Sequence, residues 1–268
     1  MNPKMIEQYF QRIGLIHQPE INESTLRLIH HHQHRAIPFE NLAILNGESI
    51  DITQQAIFDK LVLSERGGYC QELNGLLFNV LSYLGFTIRP LLARVHFGEQ
   101  PTGHGHRINL VTIDEQQWIV DAGFGTSTPR APLPLIFNQE IKTDLQTFRF
   151  IEDPLFGNML QTLEEDAWKN MYSLDMNHVV WNDLEYGNHF TSTHPISLFT
   201  QNCVVARPTD EGITTLFNRT LKIRQGVVEQ EIELENESDF YHALKQHFGL
   251  EPKISYQAFI PFLDKPEA

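Results

Sequence analysis

The stretch RGGYCQELNGLLFNVLSYLG, residues 66–85, decides how the rest of the chain is read. Leu73, Leu76, Leu77, Val80, Leu81 and Leu84 recur at spacings of three and four, the pattern of one buried helical face. Gly85 stands where a C-terminal cap belongs. Gly67-Gly68 form a tight turn into the helix. Cys70 therefore falls in the first helical turn, where unpaired N–H groups and partial positive charge collect. Both favour a thiolate, the nucleophilic form of cysteine. The same N–H groups can hold an oxyanion on an attacked carbonyl. Free cysteine is also among the most buried residue types. Position alone leaves a nucleophile and a packing thiol both open.

Upstream of this stretch, apolar residues follow a helical period over 5–13, 23–34 and 53–62. Downstream the period changes at Phe86. Residues 87–95, 107–113 and 117–121 read as strands, with Asp114-Glu115 as the turn between the last two. Pro129, Pro132 and Pro134 make 126–135 a loop. Further short strands are expected within 148–174 and 204–232, and a final helix over 238–248 ends at Gly249. The fold class is α+β: a helical first third, a strand-rich middle and a mixed last third.

A nucleophilic cysteine needs a base, and the base needs an orienting group. His104 and His106 stand where the second strand begins, and Asp121 ends the third in WIVDAGFG. A hairpin would place His106 and Asp121 on adjacent strands. An aspartate closing an apolar strand calls for a buried partner. It could instead cap the Ala122-Gly123 turn, with His106 at the surface. The residues by themselves leave both readings open. Glu40 and Arg66 are expected to form a buried ion pair, and Glu72 and Asn74 to brace neighbouring loops. The run His30-His31-His32-Gln33-His34 faces several sides of a helix and reads as an accident of composition, so no metal site is expected. Cys203, in the apolar run CVVA, reads as inert.

Composition narrows the partners. The chain has 268 residues, 41% apolar, and a formal net charge of −14. That length allows one large domain or two to three small ones. The charge argues against nucleic acid and against anionic membrane surfaces. No apolar run approaches the roughly 20 residues of a membrane-spanning helix, and the first residues lack a signal-peptide core. Two cysteines do not make a disulfide scaffold. A cytoplasmic location follows as the expectation.

Arg66-Gly67-Gly68-Tyr69-Cys70, with Glu72 and Asn74, resembles the signature of the arylamine N-acetyltransferase family. His32-Gln33, Arg35-Ala36 and Ile37-Pro38-Phe39-Glu40-Asn41-Leu42 are similar to its upstream block. His106 with Ile108-Asn109-Leu110-Val111 resembles its histidine strand, and Asp121-Ala122-Gly123-Phe124-Gly125 its aspartate turn. His194-Pro195, Ser197, Phe199 and Phe248-Gly249-Leu250 carry a weaker likeness. The resemblance implies a catalytic triad of Cys70, His106 and Asp121, with His104 at the pocket rim. It implies coenzyme A contacts at Thr102, Gly103 and Gly105 and an acceptor pocket at Phe39 and Phe124. Three parts are implied: a helical bundle over 1–85, a β-barrel over 86–190 and an α/β lid over 191–268. Their core would be similar to that of papain-like proteases and transglutaminases. The implied reaction moves acetyl from acetyl-coenzyme A, a co-substrate, to an arylamine, hydrazine or hydroxylamine through an acyl-cysteine. No tightly bound cofactor or obligate protein partner is implied. A macrolactam-forming amide synthase of the same family and a cysteine hydrolase or transglutaminase-like enzyme are the alternatives. Gln71 and Asn109 depart from the family pattern and bear on substrate preference.

Overall fold

The structure, a computed structural model, describes residues 1–16 and 20–263. The first third is helical: α1 (Pro3–Arg12), α2 (Glu23–Ala36), the short α3 (Leu42–Leu45), α4 (Gln54–Phe58) and α5 (Cys70–Tyr83). Asparagines start the first two helices. The side chain of Asn2 accepts the Met5 N–H, and that of Asn22 accepts the Thr25 N–H. The expected third helix is divided: α4 widens into a π-helical turn over Asp59–Leu63. One strand of this region was not anticipated, β1 (Phe39–Glu40).

The middle of the chain forms an eight-stranded sheet. Its strands are β2 (Thr87–Val95), β3 (His106–Ile113), β4 (Gln116–Val120), β5 (Leu133–Pro134), β6 (Ile141–Lys142), β7 (Thr147–Asp153), β8 (Gly157–Glu164) and β9 (Ala167–Leu174). They lie in the order β5-β4-β3-β2-β9-β8-β7-β6, every named pair antiparallel. The sheet curls into a nearly closed barrel around one core. Ile108, Leu110 and Ile119 from one half meet Phe148, Phe150, Leu160 and Tyr172 from the other inside it. Alternation along each strand does the sorting. Val111, Trp118 and Val120 face outward and pack with the apolar face of α5. Asp114 and Glu115 form the expected two-residue turn, both with positive φ, as a type I′ hairpin requires. The proline-bearing loop contains one strand after all: Leu133–Pro134 pairs with β4 at the sheet edge, where a missing N–H is tolerated.

The last third begins with α6 (Trp181–Thr193), which no apolar period announces, and α7 (Leu198–Gln201). Strands β10 (Val204–Pro208), β11 (Gly212–Phe217), β12 (Thr220–Gln225) and β13 (Val228–Glu233) form a meander. Strand β1 completes this sheet: Phe39 pairs with Ala206 and Glu40 with Val205. The final helix is α8 (Glu237–Ala243), continued by wider turns over Leu244–Phe248 and stopped at Gly249 in the left-handed conformation. Among the described residues no helix is long and apolar enough to cross a membrane.

Candidate active site

The turn into α5 is fixed from both sides. A Cβ on Gly67 would lie 2.4 Å from the Pro38 carbonyl oxygen, so only glycine fits. Gly68 donates its N–H to that oxygen and accepts the Glu40 N–H at 2.9 Å. Glu40 is buried; one carboxylate oxygen meets Arg66 Nη2 at 3.2 Å and the other accepts the Leu42 N–H. The expected Glu40–Arg66 pair is therefore present. Glu72 folds back in the same way: Oε2 accepts the Tyr69 N–H at 3.2 Å, and Oε1 meets Lys60 Nζ at 2.7 Å. Cys70, largely buried, occupies the first position of α5.

Strands β3 and β4 bring the other two residues to it. His106 is the first residue of β3 and Asp121 follows the last of β4. His106 donates its Nε2–H to Asp121 Oδ2 at 2.7 Å. Cys70 is the other side chain close enough to act on the ring, and like Asp121 it favours the charged imidazolium. Burial alone would discharge His106, but the Asp121 carboxylate overrides it and raises the ring well above the ordinary imidazole range. Asp121 answers in kind. Burial opposes its charge, yet His106, Asn74 and the Gly123 N–H hold its carboxyl below the usual range.

The two roles that the sequence offered Asp121 are both filled, one by each oxygen. Oδ2 takes His106, while Oδ1 caps the turn by accepting Gly123 N–H at 2.9 Å and Asn74 Nδ2 at 2.8 Å. Asn74 also donates to the Arg107 carbonyl at 2.7 Å and accepts the Ala122 N–H at 2.8 Å. It thus ties α5 to both strands, as a brace. The two departures from the family pattern lie behind the site rather than in front of it. Gln71 donates Nε2 to the Gly105 carbonyl at 3.0 Å, and Asn109 donates to the Asn74 carbonyl at 3.0 Å.

The histidine run of α2 is no accident of composition. His30, fully buried, donates Nε2–H to the Asp121 carbonyl at 2.8 Å. Gln33 accepts the Tyr9 hydroxyl and donates to the Leu73 carbonyl at 2.9 Å each. Both contacts join residues far apart in the chain, so no local pattern announces them. The signal available was the helical phase: 30, 33 and 34 share one face.

His104 sits apart, about one-third exposed, with Nε2 3.5 Å from Asp175 Oδ2. Thr102 and Gly105 spend their N–H groups within the loop, on the Val95 and Gly103 carbonyls. Gly103 is exposed, while Gly105 lies against Thr191 and Gly187 of α6. Phe124 stacks edge-on against His106, with ring centres 4.8 Å apart, and against Tyr172 at 5.1 Å. Phe97, unremarked in the sequence, extends this aromatic wall to solvent, 5.2 Å from Phe124. Phe39 is buried instead against Phe199. Cys203 is fully buried, and burial pushes its thiol far up, away from reactivity.

A thiol at a helix start, a histidine against it and a buried aspartate behind form the arrangement of thiol-dependent acyl transfer. The comparisons with known proteins narrow that class. A family model described as N-acetyltransferase matches residues 23–255. The arylamine N-acetyltransferase of Escherichia coli is 33% identical over 253 residues, covering 92% of this chain and 89% of that protein. The solved arylamine N-acetyltransferase of Salmonella typhimurium superposes with a TM-score of 0.92 at 29% identity, covering 98% of this chain and 99% of that one. That of Mycobacterium marinum, solved in complex with CoA, gives 0.85 at 33% identity, covering 91% and 92%. This chain belongs to the arylamine N-acetyltransferase family.

Proposed function

We propose that the protein transfers an acetyl group from acetyl-coenzyme A to an arylamine by a ping-pong route through Cys70. The observation that carries this is the buried His106–Asp121 pair, 2.7 Å apart, set beside Cys70 at the start of α5. Cys70 gives its proton to His106 and attacks the thioester carbonyl. N–H groups at the start of α5 are placed to hold the oxyanion. The carbon–sulfur bond to coenzyme A breaks, and the departing thiolate takes the proton from His106. The acetyl group now rests on Cys70. An amine attacks that carbonyl, His106 accepts its proton, and the amide leaves as the Cys70 thiolate returns.

The M. marinum relative solved with CoA supports coenzyme A as the carrier. Arylamine acceptors fit for a chemical reason. An alkyl amine resembles lysine, with a pKa of about 10.4, and is protonated at neutral pH. It then has no lone pair to attack with. Arylamines and hydrazides are neutral there, and the aromatic wall of Phe124 and Phe97 offers a flat apolar surface beside His106. In this reading the loop of Thr102, Gly103 and Gly105 borders the coenzyme A path, and Phe39 supports the pocket from behind. The three-part division at residues 85 and 190 and a cytoplasmic location, which keeps Cys70 reduced, belong to the same proposal.

Incubation with acetyl-coenzyme A alone tests it. Mass spectrometry should find one added acetyl group on the peptide holding Cys70, and an arylamine should then remove it with stoichiometric amide formation. Modification that requires both substrates together would overturn the ping-pong route.

A further inference from the structure

Strand β3 carries a second ionised group to the start of α5. Arg107 follows His106, so its side chain leaves the opposite face of the strand and runs beneath the helix. It is 3% exposed. Nη1 donates to the Gln71 carbonyl at 3.2 Å, and the guanidinium carbon stands 5.6 Å from the centre of the Phe78 ring. Gly75 makes the room: a Cβ there would meet Nη1 at 2.8 Å. Nε has no hydrogen-bond partner, and among the described residues no carboxylate pairs with the guanidinium.

A buried cation without a counter-ion is costly, and folds rarely keep one that has no anion to answer it. The charge available to Arg107 is on Cys70, one residue before the carbonyl that it holds. Burial lowers Arg107 to about 10, and Cys70 is the charged neighbour that acts against that fall. The remaining groups near the thiol are already occupied. Tyr69 is kept neutral by burial and bonds Asn188. Glu72 is taken up by Lys60 and the Tyr69 N–H. Burial lowers His30 to about 4, so it is uncharged at neutral pH.

We propose that Arg107 is a positioning residue that holds Cys70 as thiolate, so that Asp121 and Arg107 drive the same proton transfer from its two ends. When the proton passes from Cys70 to His106, positive charge moves toward Asp121 and negative charge forms near Arg107. The two buried residues act on opposite poles of one dipole. The proposal rests on the reading of Cys70 as the nucleophile.

Alkylation of Cys70 by iodoacetamide, followed against pH, separates the two ideas. Iodoacetamide is uncharged, so the rate reports the thiolate. In the Arg107→Met variant the pH of half-maximal rate should rise by about one unit, and the rate at pH 6 should fall about tenfold, the effect of losing one nearby opposite charge. The Arg107→Lys variant should recover most of the loss. If Arg107→Met does not fold, Arg107→Gln takes its place, since it is uncharged and carries a polar amide into the space beside Gln71. A folded neutral variant with the wild-type profile would overturn the role of Arg107 and leave the triad standing. A wild-type profile that rises only near pH 8.5, like a free thiol, would remove the nucleophile reading itself.

Discussion

Asp121 divides its two oxygens between chemistry and architecture, and the division sets what a substitution there should do. In an Asp121→Asn variant the amide oxygen can still accept from Asn74 and Gly123. The amide nitrogen then faces His106 Nε2 and forces the other tautomer, with the proton on the nitrogen that should receive it from Cys70. Transfer should fall by about 10⁴ while the fold persists, the size seen when a triad aspartate is neutralised elsewhere. Steady-state turnover and circular dichroism together check this; a folded variant with near-normal turnover would reduce Asp121 to a turn cap. Cys70→Ala should abolish transfer, whereas Cys203→Ala, which only empties space for one sulfur in a buried site, should keep most of it. At this scale the sequence was most legible. Cys70, His106 and Asp121 stood out as candidates because their chemistry restricts the residue type and their elements have strong periods, and the family resemblance chose between the readings that the residues left open. His30, Gln33 and Arg107 escaped because each acts on a distant backbone carbonyl, and a carbonyl leaves no mark in the sequence.

Asn74 is the side chain of α5 that ties the helix to both β3 and the turn after β4. Asn74 fills donor and acceptor positions on Asp121, Ala122 and Arg107 at once. Asn74→Ala would leave buried polar groups unsatisfied, each worth about 1–3 kcal/mol. A loss of roughly 3 kcal/mol in unfolding free energy is expected, and activity should drop too, because Asp121 loses a fixed donor. Denaturant titration at constant m-value measures the first, and a loss below 1 kcal/mol would count against the brace. Elements as such were readable where apolar residues alternate or recur over many positions, as in α5, β2 and the β3–β4 hairpin. Two-residue strands such as β1 and β5 are too short to carry a period. The π-helical turns after α4 and α8 keep an apolar pattern close to that of an ordinary helix, so the sequence merges them with it. Helix α6 is largely exposed and polar, with few buried positions to give it a stripe.

The molecule as a whole should be sensitive to acid. His30 and His34 are buried and held uncharged; burial lowers His30 to about 4 and His34 well below its ordinary value. An unfolded histidine titrates near 6.5. Between these values the unfolded chain binds more protons than the folded one, so stability falls as pH drops below about 6.5. His30 alone should contribute a loss on the order of 3 kcal/mol once pH passes its folded value. His106 works in the opposite sense. Its raised value makes its contribution complete below about pH 6.5 and lost only on the alkaline side. Thermal unfolding from pH 4 to 8 should show the acid slope, and His30→Gln should flatten part of it. An unchanged slope in that variant would assign the acid limb to other groups.

Strand β1 gives the molecule an order of assembly. It bridges Gly68, beside the nucleophile, and it completes a sheet whose other strands begin at Val204. Asn41 adds side-chain contacts to Phe199, Asn202 and Val204. On a ribosome β1 and the turn that presents Cys70 would thus emerge long before β10, the strand on which β1 is seated. A nascent chain could form its helices and its barrel and still lack a settled nucleophile. Reactivity would arrive late, only once β10 has been made, so a chain still short of that strand would carry a quiet thiol.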